Sequence, residues 1–241
     1  MLVLWDVCIR VFHVPPYLIP APLDVGRALI TDWQSLMEQA FPTLAATVLG
    51  FIASAVVGVP LAVLIVSSRT AKDYLYPLLV FSQSVPKVAI APVFVVWFGF
   101  GLIPKVLTAF LLGFFPIVVG AVQGLTAVEP DLLDLARSME ATRWQSLRLI
   151  SLPYASPAIF AGLKISVTLT VVGTVVGEFV GANAGLGVVL QRSIGNFELP
   201  LMFAALLVLA IMGVVLFWLV EWWERLAIPW HASQQGARSI K

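Results

Sequence analysis

Long uncharged apolar stretches, separated by short polar interruptions, dominate the pattern of this chain. Residues 43–66 hold no Asp, Glu, Lys or Arg over 24 positions, about 36 Å of helix at 1.5 Å per residue. Residues 106–128 and 199–220 repeat the pattern over 23 and 22 positions. Two further stretches are apolar but interrupted, 75–100 by Lys87 and 155–182 by Lys164 and Glu178. About 20 apolar residues suffice to cross the hydrocarbon core of a bilayer, so five helical spans are predicted. The stretch before Pro15-Pro16 is apolar but broken by Asp6 and Arg10, and the prolines end any helix there. It is either the shortened remains of a first, sixth span or an interfacial segment. No basic residues precede its apolar part, which argues against a cleaved signal peptide.

Composition agrees. The chain is 60% hydrophobic and 11% charged, with mean hydropathy +1.00, whereas soluble domains are about 45–50% apolar and about 25% charged. A soluble fold of this size has too little polar cover for so much apolar surface, and lipid is the solvent that accepts it. The expected fold is therefore all-α, a polytopic transmembrane helix bundle, with residues 1–241 forming one domain. A single Cys excludes an internal disulfide. His13 and His231, far apart in sequence, have no metal-ligand spacing, so no metal site is expected. A net charge of +1 argues against nucleic acid.

Lys and Arg set the orientation. One set of connections carries Arg69, Lys72, Arg137, Arg143, Arg148, Arg225, Arg238 and Lys241, and the other carries Arg27, Lys105 and Arg192. The richer set belongs inside, so the loop after Val128 and the C-terminal tail are predicted to be cytoplasmic.

Intramembrane ionisable groups are candidate pathway residues, because charge in lipid is costly. Lys87 sits near mid-depth between Pro86 and Pro92, where a broken helix would line a substrate path. It either attracts an anionic substrate or pairs with a carboxylate or backbone carbonyls. Glu178 lies near the outer end of its span. Helix rise separates the two by roughly 10–15 Å in depth, so a direct pair requires the Pro86 region to unwind. Lys164, near a cytoplasmic end, can snorkel. The Pro and Gly residues scattered through the spans fit close helix packing and kinks. The outer Gly-rich loop with Gln191, Arg192 and Asn196 is either part of a gate or binding-protein surface, or a plain connection. The chain has no phosphate-binding G-x-x-x-x-G-K-[ST] loop and no Ser-His-Asp or Cys-His constellation, so neither ATP hydrolysis nor other enzyme activity is expected of it.

The most informative interruption is 127–157, AVEPDLLDLARSMEATRWQSLRLISLPYASP. Pro130 suits the first position of a helix, and Asp131 and Asp134 suit its positive end. Leu132, Leu135, Ala136 and Met139 make an apolar stripe at helical spacing. A second short helix is predicted from Thr142, stopping before Pro153. Such a pair either lies on the membrane surface or docks into a protein groove.

The segment resembles the EAA loop of ABC importer permeases, whose pattern is Glu-Ala-Ala, three residues, Gly, nine residues, Ile, one residue, Leu-Pro. Here Asp134, Leu135 and Ala136 stand at the Glu-Ala-Ala, Glu140 at the Gly, and Ile150, Leu152 and Pro153 at the closing positions. Glu140 is the main departure. It costs about 1 kcal/mol if the backbone takes φ > 0 there; the alternative is a bend made one residue away. PKVAIAPVFVVWFG at 86–99, EFVGANAGLG at 178–187, and LIPAPLDV from Leu18 (Ala21 in place of a family Ser) resemble the nitrate/sulfonate/taurine branch.

The resemblance implies a permease subunit in a bacterial inner membrane whose loop, 129–153, couples to separate cytoplasmic ATPase subunits. Its implied coupling residues are Asp134, Leu135, Ala136, Met139, Glu140, Ile150, Leu152 and Pro153. It implies two ATPases that hold ATP-Mg, a second permease copy, an extracytoplasmic substrate-binding protein and no cofactor on this chain. The implied solute is small: an anion such as nitrate, a sulfonate or taurine, or alternatively a pyrimidine or riboflavin-type vitamin precursor. An ion-coupled secondary transporter needs mid-membrane carboxylates, and Glu178 is the sole, poorly placed acid. A membrane scaffold without transport activity is the remaining alternative.

Overall fold

The computed structural model describes residues 18–229 and, before them, Trp5, Val7, Ile9, Val11, Phe12 and Pro15. His13, His231, Asp6, Arg10, Arg238 and Lys241 lie outside the described residues. Among the described residues the regular structure is entirely helical.

In chain order, α1 is Pro22–Thr31, α2 Trp33–Ser67, α3 Arg69–Ser82, α4 Ala91–Phe98, α5 Leu102–Thr126, α6 Pro130–Ser138, α7 Arg143–Ser146, α8 Leu152–Gly181, α9 Leu186–Gly195 and α10 Leu199–Ala227. Among the described residues, four helical stretches are long and apolar enough to cross a membrane: α2, α5, Arg143–Gly181 and α10. The expected span at 75–100 is not one straight helix. Thr70–Ser82 and Lys87–Phe98 meet at 82°, and counting this bent pair as one span gives five. The break follows from Pro86. A proline ring clashes with the carbonyl four residues earlier and restricts the residue before it, and α3 ends at Ser82. Lys87–Ile90 form a 3₁₀ turn, and Pro92 then falls in the first turn of α4, where its missing N–H costs nothing.

The helix expected to stop before Pro153 instead runs on. Leu147–Ser151 form a π turn, with the Leu152 N–H donating to the Leu147 carbonyl, and α8 follows directly. The widened turn gives the Pro153 ring room that a regular α turn lacks.

The chain sorts into two compact units. One comprises Met1–Gly50, Val88–Ala109 and Thr170–Val215. Within it, Trp5, Val7, Ile9 and Val11 are helical, and Trp5 packs on Phe203 with ring centroids 5.9 Å apart. A Cβ on Gly173 would lie 2.8 Å from the Ala109 Cα, so here only Gly lets α8 and α5 approach this closely.

The other unit comprises Phe51–Lys87, Phe110–Leu169 and Leu216–Lys241. Ala62, Ile65, Val118, Ala121 and Val122 are its buried centre, covered by Leu75, Tyr76, Leu79, Phe114 and Ile159. A Cβ on Gly162 would meet the Pro116 carbonyl at 2.7 Å, another close α5–α8 approach. Lys164 bonds Glu224 at 2.8 Å, so this cation is paired rather than free to snorkel.

Candidate functional site

The loop after α5 folds as an elbow. Pro130 opens α6, Asp131 lies in its first turn and Arg137 in its last, matching the helix dipole at both ends. α6 closes on a Schellman motif. The Ala141 N–H donates to the Ala136 carbonyl at 3.0 Å, and the Glu140 N–H to the Arg137 carbonyl at 2.9 Å. This motif needs one residue in the left-handed region, and that residue is Glu140, at φ 59°. The bend therefore sits at the position where the resemblance places a glycine. α7 starts on a capping box: the Gln145 N–H donates to Thr142 Oγ1 at 3.3 Å, and the Thr142 N–H to Gln145 Oε1 at 2.8 Å.

The apolar stripe divides. Ala136 is 4% exposed and faces inward, whereas Leu135 and Met139 are 58% and 74% exposed. Leu132, Leu135, Met139, Glu140, Leu149 and Ile150 line a groove of about 410 Å³ between the two arms of the elbow. Asp134 pairs with Arg137 at 2.7 Å on the open surface. Leu152 and Pro153 are half-buried where the elbow joins α8. The elbow thus presents large apolar side chains on a short, doubly capped lever, suited to a complementary protein groove.

Lys87 sits in the 3₁₀ turn of the broken span. Its ammonium lies 5.0 Å from the centre of the Phe115 ring. Among the described residues it makes no ion pair.

Glu178 is closed over. It is 1% exposed. Thr43 Oγ1 donates to its Oε1 at 2.8 Å and the Gly187 N–H to its Oε2 at 2.8 Å. Lys105 Nζ lies 3.4 Å from Oε1 and donates to the Ala184 carbonyl at 2.6 Å. Lys105, assigned from the charge count to an outer connection, is only 4% exposed and belongs to α5.

Comparison with known proteins decides the family. Residues 46–228 match the model of the binding-protein-dependent transport system inner membrane component. The chain belongs to this family. It is 35% identical to the formylaminopyrimidine transport permease protein ThiX of Halalkalibacterium halodurans, over 97% of this chain and 94% of that one. It is 35% identical to the riboflavin transport system permease protein RibX of Chloroflexus aurantiacus, over 97% and 88%. To the taurine transport system permease protein TauC of Escherichia coli it is 29% identical, over 98% and 88%. Its fold resembles that in inward-facing structures of the MetNI methionine ABC transporter, with a TM-score of 0.69 at 23% identity, over 79% of this chain and 94% of that one.

This chain is therefore an inner-membrane permease subunit of the ABC importer class, with a role in transport. Sequence reading found the elbow of the permease but missed Lys105, Gln39, Thr43 and Thr47. A signal was present. Gln39, Thr43 and Thr47 recur every four residues, as do Ser166, Thr170, Thr174 and Glu178. In otherwise apolar helices, such polar stripes mark faces that bond to other helices rather than to lipid.

Proposed function

We propose that the elbow, residues 129–153, is where this permease grips a separate cytoplasmic ATPase subunit, with Leu135 and Met139 as the apolar key. The assembly holds two permease copies, two ATPases that bind ATP-Mg, and an extracytoplasmic binding protein that delivers the solute. ATP-driven closure of the ATPases moves α6 and α7, and α8 carries that movement into the membrane. One observation carries this reading: Leu135 and Met139 stand out from a rigidly capped elbow. Covering each in a groove is worth about 1.5–3 kcal/mol. Arg137, Arg143 and Arg148 supply a polar rim.

The relatives are named for a formylaminopyrimidine, riboflavin and taurine. What extends from them to this chain is their shared size class, a small organic solute. Lys87, a cation without an acidic partner among the described residues, supports attraction of an anionic group to the broken span.

Co-purification tests the coupling role. Leu135→Glu or Met139→Arg inserts normally but loses the ATPase from the purified complex. Normal recovery of the ATPase with either variant overturns it. Lys87→Met keeps the ATPase and imports an anionic solute, identified from the co-purified binding protein, more slowly; unchanged uptake removes Lys87 from the pathway.

A further inference from the structure

α9 has no cap of its own. Gly185, just ahead of it, offers no side chain, and the first turn of α9 contains no acid. Three consecutive backbone donors at this helix start are instead met by side chains from two other helices. The Gly185 N–H donates to Gln39 Oε1 at 2.7 Å, the Leu186 N–H to Thr43 Oγ1 at 2.8 Å, and the Gly187 N–H to Glu178 Oε2 at 2.8 Å. Two of these caps come from α2 and one from α8. Lys105 of α5 closes the set by neutralising Glu178 and holding the Ala184 carbonyl. The seat has no slack. Gly185 is at φ 132°, and a Cβ there would fall 2.0 Å from Glu178 Oε1. Leu186, Gly187, Val188, Leu190 and Ser193 are buried behind it.

A buried carboxylate facing a buried ammonium is poor value for stability alone, since an apolar pair of the same volume packs as well. In some proteins such a pair instead fixes one arrangement of the elements that share it. We infer that Gln39, Thr43, Lys105 and Glu178 are positioning residues that clasp α9 to the segments of α2, α5 and α8 that share its compact unit. The clasp ties movement of α9 to movement of those segments, and the coupling of transport to ATP hydrolysis depends on that tie. Basic residues are sparse on this side of the chain, which places the clasp on the extracytoplasmic side. The inference rests on the importer reading above.

The test uses the assembled importer in liposomes with its binding protein and reads solute imported per ATP hydrolysed. Thr43→Val and Gln39→Leu remove neutral caps and leave the charged pair in place. Both should lower the ratio about tenfold, the size of an ordinary coupling between sites, while ATP is still hydrolysed. Thr47→Val is the control. Thr47 is equally buried on the same stripe, but its hydroxyl meets Thr174 Oγ1 and the Thr43 carbonyl, not α9, and its ratio should match the unmodified protein. Clasp variants with an unchanged ratio, or a Thr47→Val loss as large as theirs, overturn the inference. An unmodified complex that shows no ATP-dependent import sinks the importer reading instead.

If the clasp variants do not assemble, amide exchange in the isolated permease in nanodiscs replaces the assay. Faster exchange confined to 185–195 supports the clasp, and exchange raised throughout the chain overturns it.

Discussion

The elbow and the clasp are both capped helix ends, and they are built in opposite ways. At the elbow every cap is local. Ala141 and Glu140 donate within five residues, and Thr142 and Gln145 cap each other. At the clasp every cap comes from another helix, with partners 9, 143 and 146 positions away in the chain for Gly187, Leu186 and Gly185. The bends of the elbow are therefore set by its own residues, and Leu135 and Met139 stay exposed. The clasp turns the polar groups of Gln39, Thr43, Lys105 and Glu178 inward. In the proposed roles, the self-capped elbow is the lever and the cross-capped α9 a passenger of the helices that hold it.

Several substitutions would break or sharpen this contrast. The largest effect belongs to the buried pair. Lys105→Met alone leaves Glu178 uncompensated and should cost about 3–5 kcal/mol, read as a fall in the thermal midpoint in detergent. Lys105→Met with Glu178→Gln should recover most of that loss. A double variant as unstable as the single would mean that the clasp is not held by charge compensation. Next comes the elbow's own cap. Thr142→Ala should cost about 1 kcal/mol, read as faster amide exchange at Gln145, with the Gly185–Gly187 amides unaffected. An equal response at both ends would dissolve the distinction between local and remote capping.

The smallest change should be a gain. Glu140→Gly relieves the left-handed strain, worth about 1 kcal/mol, and should slow exchange of the Ala141 amide about fivefold if that amide exchanges by local opening. Exchange left unchanged would show that Glu140 rests there without cost.

The same division runs through what could be read in advance. Uncharged runs placed the spans, because lipid demands about 20 apolar residues from any helix that crosses it. The elbow was partly legible. Pro130 and Thr142 are local start signals, and the bend at Glu140 was one of two alternatives raised by the family resemblance, but the run-on through Pro153 was not foreseen. The bend at 75–100 was half legible: Pro86 announced a break, but not an angle of 82°. The polar stripes through Thr43 and Glu178 were visible as periodicity and nothing more.

Which partner each stripe meets was settled by packing. Lys105 and Glu178 stand 73 positions apart, and composition near Lys105 reads as an ordinary loop. Charge, spacing and proline act within a turn or two of the chain, so a sequence states them openly. A hydrogen bond between helices exists only once those helices lie side by side, and that arrangement comes from close contacts such as Gly173 on Ala109, which no local pattern encodes.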